Sequence, residues 1–102
     1  MDASVGRTIL EQLGGRRFVI MTGAKNFMST GQGLIFSLPG SGGFTKNGIN
    51  RVSISLNVMD LYDLTFSRVR GLNQNNIEEK TNVYAEDLKS TFTEVTGLVV
   101  SL

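Results

Sequence analysis

Apolar and polar positions alternate most regularly between Arg51 and Asn57, where Val52, Ile54 and Leu56 are separated by Arg51, Ser53, Ser55 and Asn57. A period of two sends successive side chains to opposite faces, so this segment predicts a β-strand with one buried and one wet face. The alternation resumes at Tyr62, with Tyr62, Leu64 and Phe66 on one side and Asp63, Thr65 and Ser67 on the other. It then changes phase, because unbroken alternation would send Arg68 and Arg70 into the core and Val69 out. A β-bulge near Ser67 or Arg68 would return Val69 to the core and turn both arginines outward. Two earlier strands are expected at residues 17–23 (Arg-Phe-Val-Ile-Met-Thr-Gly) and 34–38, both rich in strand formers and separated by a polar, glycine-containing loop.

Helical spacing appears at both ends of the chain. Val5, Ile9, Leu10 and Leu13 form one stripe, with Asp2 or Ser4 as N-cap and Gly14-Gly15 as the stop. Leu88, Phe92 and Val95 form the other, with Thr81 or Asn82 as cap, Glu86 and Asp87 near the positive helix end, and Gly97 at the left-handed C′ position with Leu98 as its hydrophobic contact. Residues 72–80, with Asn73-Gln74-Asn75-Asn76 and three charges around Ile77, read as a loop or as a weak edge strand. The order predicted is a short N-terminal helix, a four-stranded antiparallel sheet of two hairpins, and a C-terminal helix packed on one sheet face. This is a two-layer α+β domain spanning residues 1–102. Asn47-Gly48 is the favoured pair for a tight type I′ turn.

Composition places this reading among ordinary globular chains. At 102 residues, 40% hydrophobic and 19% charged, the chain is the size of one domain with one core. It contains no Cys and no His, which excludes disulfides, thiol and His-dependent catalysis and the usual zinc sites. No apolar run approaches the roughly 20 residues of a membrane span, and Met1-Asp2-Ala3-Ser4 lacks the features of a signal peptide, so the expected setting is cytoplasmic, with no membrane partner. The net charge of +1 is unevenly distributed: residues 1–70 carry +4 and residues 71–102 carry −3. A basic strand layer backed by an acidic helix would present a weakly anion-attracting face.

The motifs that would signal an enzyme fail on spacing. The glycine-rich stretches around Lys25 and Lys46 lack the Gly-Lys-Ser/Thr order of a phosphate loop, and Gly31-Gln32-Gly33 has no third glycine after two residues. The carboxylate pairs Asp60 and Asp63, Glu78 and Glu79, and Glu86 and Asp87 give no convergent acid-base geometry. No catalytic residue, metal ligand or cofactor is expected. What remains is the wet face of the sheet, where Arg51, Ser53, Ser55, Asn57, Arg68 and Arg70 are the side-chain types that grip phosphate. Phe27, Phe44 and Tyr62 are the candidate stacking surfaces for unpaired bases, or else satellite core residues. The reading is a non-enzymatic binding domain and homo-oligomer that contacts single-stranded nucleic acid. The alternative is an interaction or structural component that docks a protein partner through the C-terminal helix and the apolar residues 98–102.

Through Leu13-Gly14-Gly15-Arg16-Arg17-Phe18, Met21-Thr22-Gly23-Ala24, Lys46-Asn47-Gly48-Ile49-Asn50 and Phe92-Thr93-Glu94-Val95-Thr96-Gly97-Leu98, the chain resembles small uncharacterised proteins encoded by bacteriophages, prophages and plasmids. The resemblance runs over nearly the whole chain and implies a phage or bacterial setting, with no activity attached. In architecture, paired hairpins followed by a helix look like the Whirly and positive-cofactor class of single-stranded-DNA-binding domains, although the basic lead segment of that class is absent here.

Overall fold

The computed structural model describes residues 4–39 and 45–98. Those residues form helices α1 (Ser4–Leu13) and α2 (Arg16–Thr22), strands β1 (Lys25–Ser29), β2 (Gly33–Ser37), β3 (Arg51–Leu56), β4 (Tyr62–Arg70) and β5 (Asn73–Val83), and helix α3 (Leu88–Thr96). The strands build a single antiparallel sheet in the order β1-β2-β3-β4-β5, each neighbour in sequence also a neighbour in space. The α+β class is as expected. The sheet has five strands rather than four, and it is a continuous meander preceded by two helices.

The largest departure lies at residues 17–23, which form α2 and not a strand. Local composition favours strand there, with Val19 and Ile20 both β-branched, but the burial period is four: Phe18 and Thr22 are buried and Ile20 is 72% exposed. The Thr22 hydroxyl donates to the Phe18 carbonyl at 2.7 Å, and the Gly23 amide, in the left-handed conformation, donates to Val19 O at 2.9 Å. Phe18 is what tertiary packing rewards. Its ring meets Phe36 at 5.5 Å and Phe92 at 5.1 Å, both edge to face, at the centre of the core. The true first strand is β1, shifted into what reads as a loop. Of residues 72–80, Leu72 is in the turn and the rest resolve to an edge strand within β5.

One face of the sheet carries the core. Leu34, Phe36, Val52, Ile54, Tyr62, Leu64 and Phe66 meet Ile9 and Leu13 of α1, Phe18 of α2, and Leu88, Phe92 and Val95 of α3. All three helices therefore lie on the same side. Close approach needs glycine at one point: a Cβ on Gly33 would collide with the Ile54 carbonyl oxygen. The C-terminal stripe and the Gly97 cap stand as read, with the Gly97 amide donating to Thr93 O at 2.8 Å and Leu98 packed on the core. The expected caps Thr81 and Asn82 belong instead to β5, and a 3₁₀ turn, Ala85–Asp87, leads into α3. Asn47 and Gly48 both take positive φ, 57° and 70°, and the Ile49 amide donates to Lys46 O, the signature of a type I′ turn. Asp2, Phe44, the glycine-rich stretch at residues 40–43 and the tail at residues 99–102 lie outside the described residues.

Candidate functional site

The face of the sheet away from the helices is built by the odd positions of β2 to β4. In an antiparallel ladder, residues directly opposite share a face, so the pairing register reads out its rows. The first row is Lys25, Ser37, Arg51, Ser67 and Asn76; the second is Met28, Ile35, Ser53, Thr65 and Glu79; the third is Gly33, Ser55 and Asp63. Arg51, Ser53 and Ser55 are thus together, as the alternation predicts, and all three are half-buried. Over the first two rows lies a shallow depression of about 220 Å³ lined by Ile35, Arg51, Ser53, Thr65, Ser67 and Gln74. That is smaller than the roughly 300 to 1,000 Å³ of small-molecule pockets.

The two arginines of β4 are not on this face. Pairing of β3 with β4 is unbroken from Leu56↔Tyr62 to Arg51↔Ser67, so β4 keeps its phase and carries no extra residue. The irregularity falls on β5, where one step on β4, from Phe66 to Ser67, spans two on β5, from Glu78 to Asn76. Ile77 is the extra residue, and it packs on the core. Arg68 consequently points to the helix side, where its Cδ lies 3.0 Å from the position a Cβ on Gly48 would take. Val69 is absent from the core. Arg70, opposite Asn73, shares the phase of Arg68 and is exposed at the strand end. The proposed correction of parity was needed only if an arginine cannot sit on the core side. At the periphery of a core it can: Arg68 is half-buried, with its stem against Gly48 and its Nε buried without a hydrogen-bond partner among the described residues.

Asn57 also has a different task. Its side-chain amide donates to Asp63 Oδ1 at 3.1 Å and Asn82 Oδ1 at 2.9 Å, while its Oδ1 accepts from the amides of Met59 and Leu61. Asn57 ties the β3–β4 turn to β5, and its polar atoms are spent on that. The stacking candidates divide likewise. Phe27 packs against Phe36 at 5.5 Å between ring centroids, Tyr62 is a core residue at 5% exposure, and Phe44 lies outside the described residues. Burial raises the Tyr62 hydroxyl above its ordinary pKa, an effect tempered by the Gln12 amide beside it.

Four residues invisible as partners in the sequence complete the face: Lys25, Thr65, Ser67 and Gln74. The Ser67 hydroxyl donates to Asn76 Oδ1 at 3.0 Å, and Gln74 Nε2 reaches Ser67 Oγ at 3.4 Å, so the β5 end of the first row is a small amide-hydroxyl network. Among the described residues, neither the Lys25 ammonium nor the Arg51 guanidinium has a hydrogen-bond or ion-pair partner. Lys46 and Lys80 differ, since both reach α3 at Glu94, through the carbonyl at 3.0 Å and the carboxylate at 3.7 Å respectively. Among the described residues no three acidic side chains gather as a metal site, and no helix is long and apolar enough to cross a membrane.

Larger hollows occur beside α2, lined by Arg16, Arg17, Ile20 and Met21, and at the β3–β4 turn, where Asn57 and Asp63 are already spent on each other. On α3 the apolar residues Leu88, Phe92 and Val95 are used in the core, which leaves Lys89, Ser90 and Glu94 on its exposed side. Comparison with protein-family models, with curated proteins and with solved structures finds no match.

Proposed function

We propose that the chain is a non-enzymatic binding domain of a mobile-element protein, taking single-stranded nucleic acid across the open face of its sheet. The observation that carries this reading is the unspent Arg51 guanidinium, held in register with Ser37 and Ser67 and beside Ser53 and Thr65, on a face that no helix covers among the described residues. Guanidinium, hydroxyl and amide groups are the usual partners of phosphate oxygens. Tyr62 is committed to the core and the partly exposed Phe27 packs its ring on Phe36, on the helix side, so Met28 and Ile35 are the apolar surface left for bases on the outer face, and contact with bases is weak and independent of their sequence.

The test is fluorescence anisotropy with a labelled single strand of about 30 nucleotides, longer than any site size of the class, at low and moderate salt, with duplex as comparator. Salt-sensitive binding that prefers the single strand, and that weakens in Arg51→Ala, is the expected result. No binding by the wild type at low salt would overturn the reading and point to a protein ligand.

A further inference from the structure

Resting on that reading, we infer that the bound strand crosses the β-strands along the row Lys25, Ser37, Arg51, Ser67 and Asn76, with Lys25 and Arg51 as its two phosphate contacts. The distribution of charge over the face carries this. Among the described residues, both cations of the outer face stand in one row, two strand spacings or about 10 Å apart. Both anions stand in the rows behind it, Glu79 opposite Thr65 and Asp63 opposite Ser55.

A polyanion laid along β3 would leave Arg51, pass Ser53 and arrive about 14 Å later at Ser55 beside the Asp63 carboxylate. Laid across the strands it meets the Lys25 ammonium, the Ser37 hydroxyl, the Arg51 guanidinium and, past the buried Ser67, the Asn76 amide, and among the described residues no carboxylate. The five strands span about 19 Å in that direction, which sets a short footprint, near the lower end of the about 4 to 16 nucleotides that single-strand-binding folds cover. Met28 and Ile35 flank the row on one side, on β1 and β2, where bases directed away from the phosphates would lie.

The experiment is a salt titration of oligothymidine binding, over a series of lengths, for the wild type and for Lys25→Gln, Arg51→Gln, the double variant and Lys89→Gln, with circular dichroism to confirm folding. Crossing along the row predicts that Lys25→Gln and Arg51→Gln each reduce the log-log salt slope by about 0.7, and the pair by about 1.4. Lys89→Gln, on the exposed side of α3, leaves the slope unchanged, and affinity stops rising with length near the short end of the range. A wild-type slope in Lys25→Gln alongside a reduced one in Arg51→Gln would overturn the crossing direction while leaving the sheet face as the site. Absence of binding by the wild type would remove the site itself.

Discussion

Ile20 and Phe18 separate the two conformations available to residues 17–23. In a strand, Phe18, Ile20 and Thr22 would share a face, and Ile20 would stand in the core beside Phe18. In α2, Phe18 is fully buried and Ile20 is 72% exposed. Fully burying an isoleucine side chain is worth about 1.5 to 3 kcal/mol, so the quarter of it that is covered in the helix contributes well under 1 kcal/mol. Alanine also recovers a few tenths of a kcal/mol in helix propensity. Ile20→Ala should therefore change stability by no more than about 0.5 kcal/mol. The strand would instead make it a core truncation costing about 2 to 5 kcal/mol.

Phe18→Ala is the counterpart, at about 3 to 5 kcal/mol, increased by the loss of two edge-to-face ring contacts. Because a domain of this size has about 5 to 15 kcal/mol in total, Phe18→Leu serves as a milder version that keeps most of the volume. Urea unfolding followed by circular dichroism gives both values, with a constant m-value confirming that the unfolded state is unchanged. A loss of 2 kcal/mol or more in Ile20→Ala would refute the helix and the placement of the core that depends on it.

Asn50 offers a second check, because its side chain pairs with a backbone as another peptide would: Nδ2 donates to Val69 O at 2.9 Å and Oδ1 accepts from the Val69 amide at 2.8 Å. Asn50→Ala should cost about 1 to 3 kcal/mol and expose the Val69 amide to rapid hydrogen exchange; full protection of that amide in the variant would contradict the pairing. Tyr62 gives a pH dependence. Its hydroxyl pKa is raised in the fold, so the folded state holds its proton at pH values where the unfolded state has released it, and stability falls as pH rises above the ordinary value of 10.0. Tyr62→Phe should remove that part of the alkaline decline, and identical slopes of urea midpoint against pH for the two proteins, between about pH 8 and 11, would count against it.

Where the sequence pattern coincides with burial on both sides of an element, it predicts the fold well. β3 and the first half of β4 have neighbours on both flanks and a wet outer face, so each position is constrained and alternation is clean. The helix stripes at Ile9 and Leu13, and at Leu88, Phe92 and Val95, are legible for the same reason. The elements that pattern misses are those placed by distant partners. α2 exists because Phe18 finds Phe36 and Phe92, which no local window contains. β1 and β5 are edge strands with one neighbour each and few buried positions, so their residues are chosen for solvent and read as loop.

The site divides along the same line. Arg51, Ser53 and Ser55 follow from alternation within one strand. Alternation also puts Thr65 and Ser67 on a wet face, but their pairing with Ser53 and Arg51, and the places of Lys25 and Gln74, come only through register between strands, which one sequence does not state. Arg68 misleads because a long amphipathic side chain at the rim of a core does not obey the alternation that a short one would.

The two edges of the sheet bear on where a ligand binds. An unpaired strand edge is the usual place for another chain to add, and both edges here are guarded against it. β1 is only Lys25–Ser29, with its register shifted between Lys25 and Met28 and Asn26 at φ 57°. β5 is longer, but it is interrupted by the extra residue Ile77 and lined with Glu78, Glu79 and Lys80. The inner face is filled by helices, which leaves the outer face as the sheet's open extended surface among the described residues. Ser37, Ser53, Ser55 and Ser67 occupy strand positions where β-branched or aromatic residues would pack better against their cross-strand neighbours. Local choices that forgo stability tend to gather where a protein does its work. Ser37 between the two uncommitted cations Lys25 and Arg51, with Ser53 in the next row, gives up side-chain packing for small donors on the open face, and that exchange is the reason the proposed function rests on Arg51 and its row.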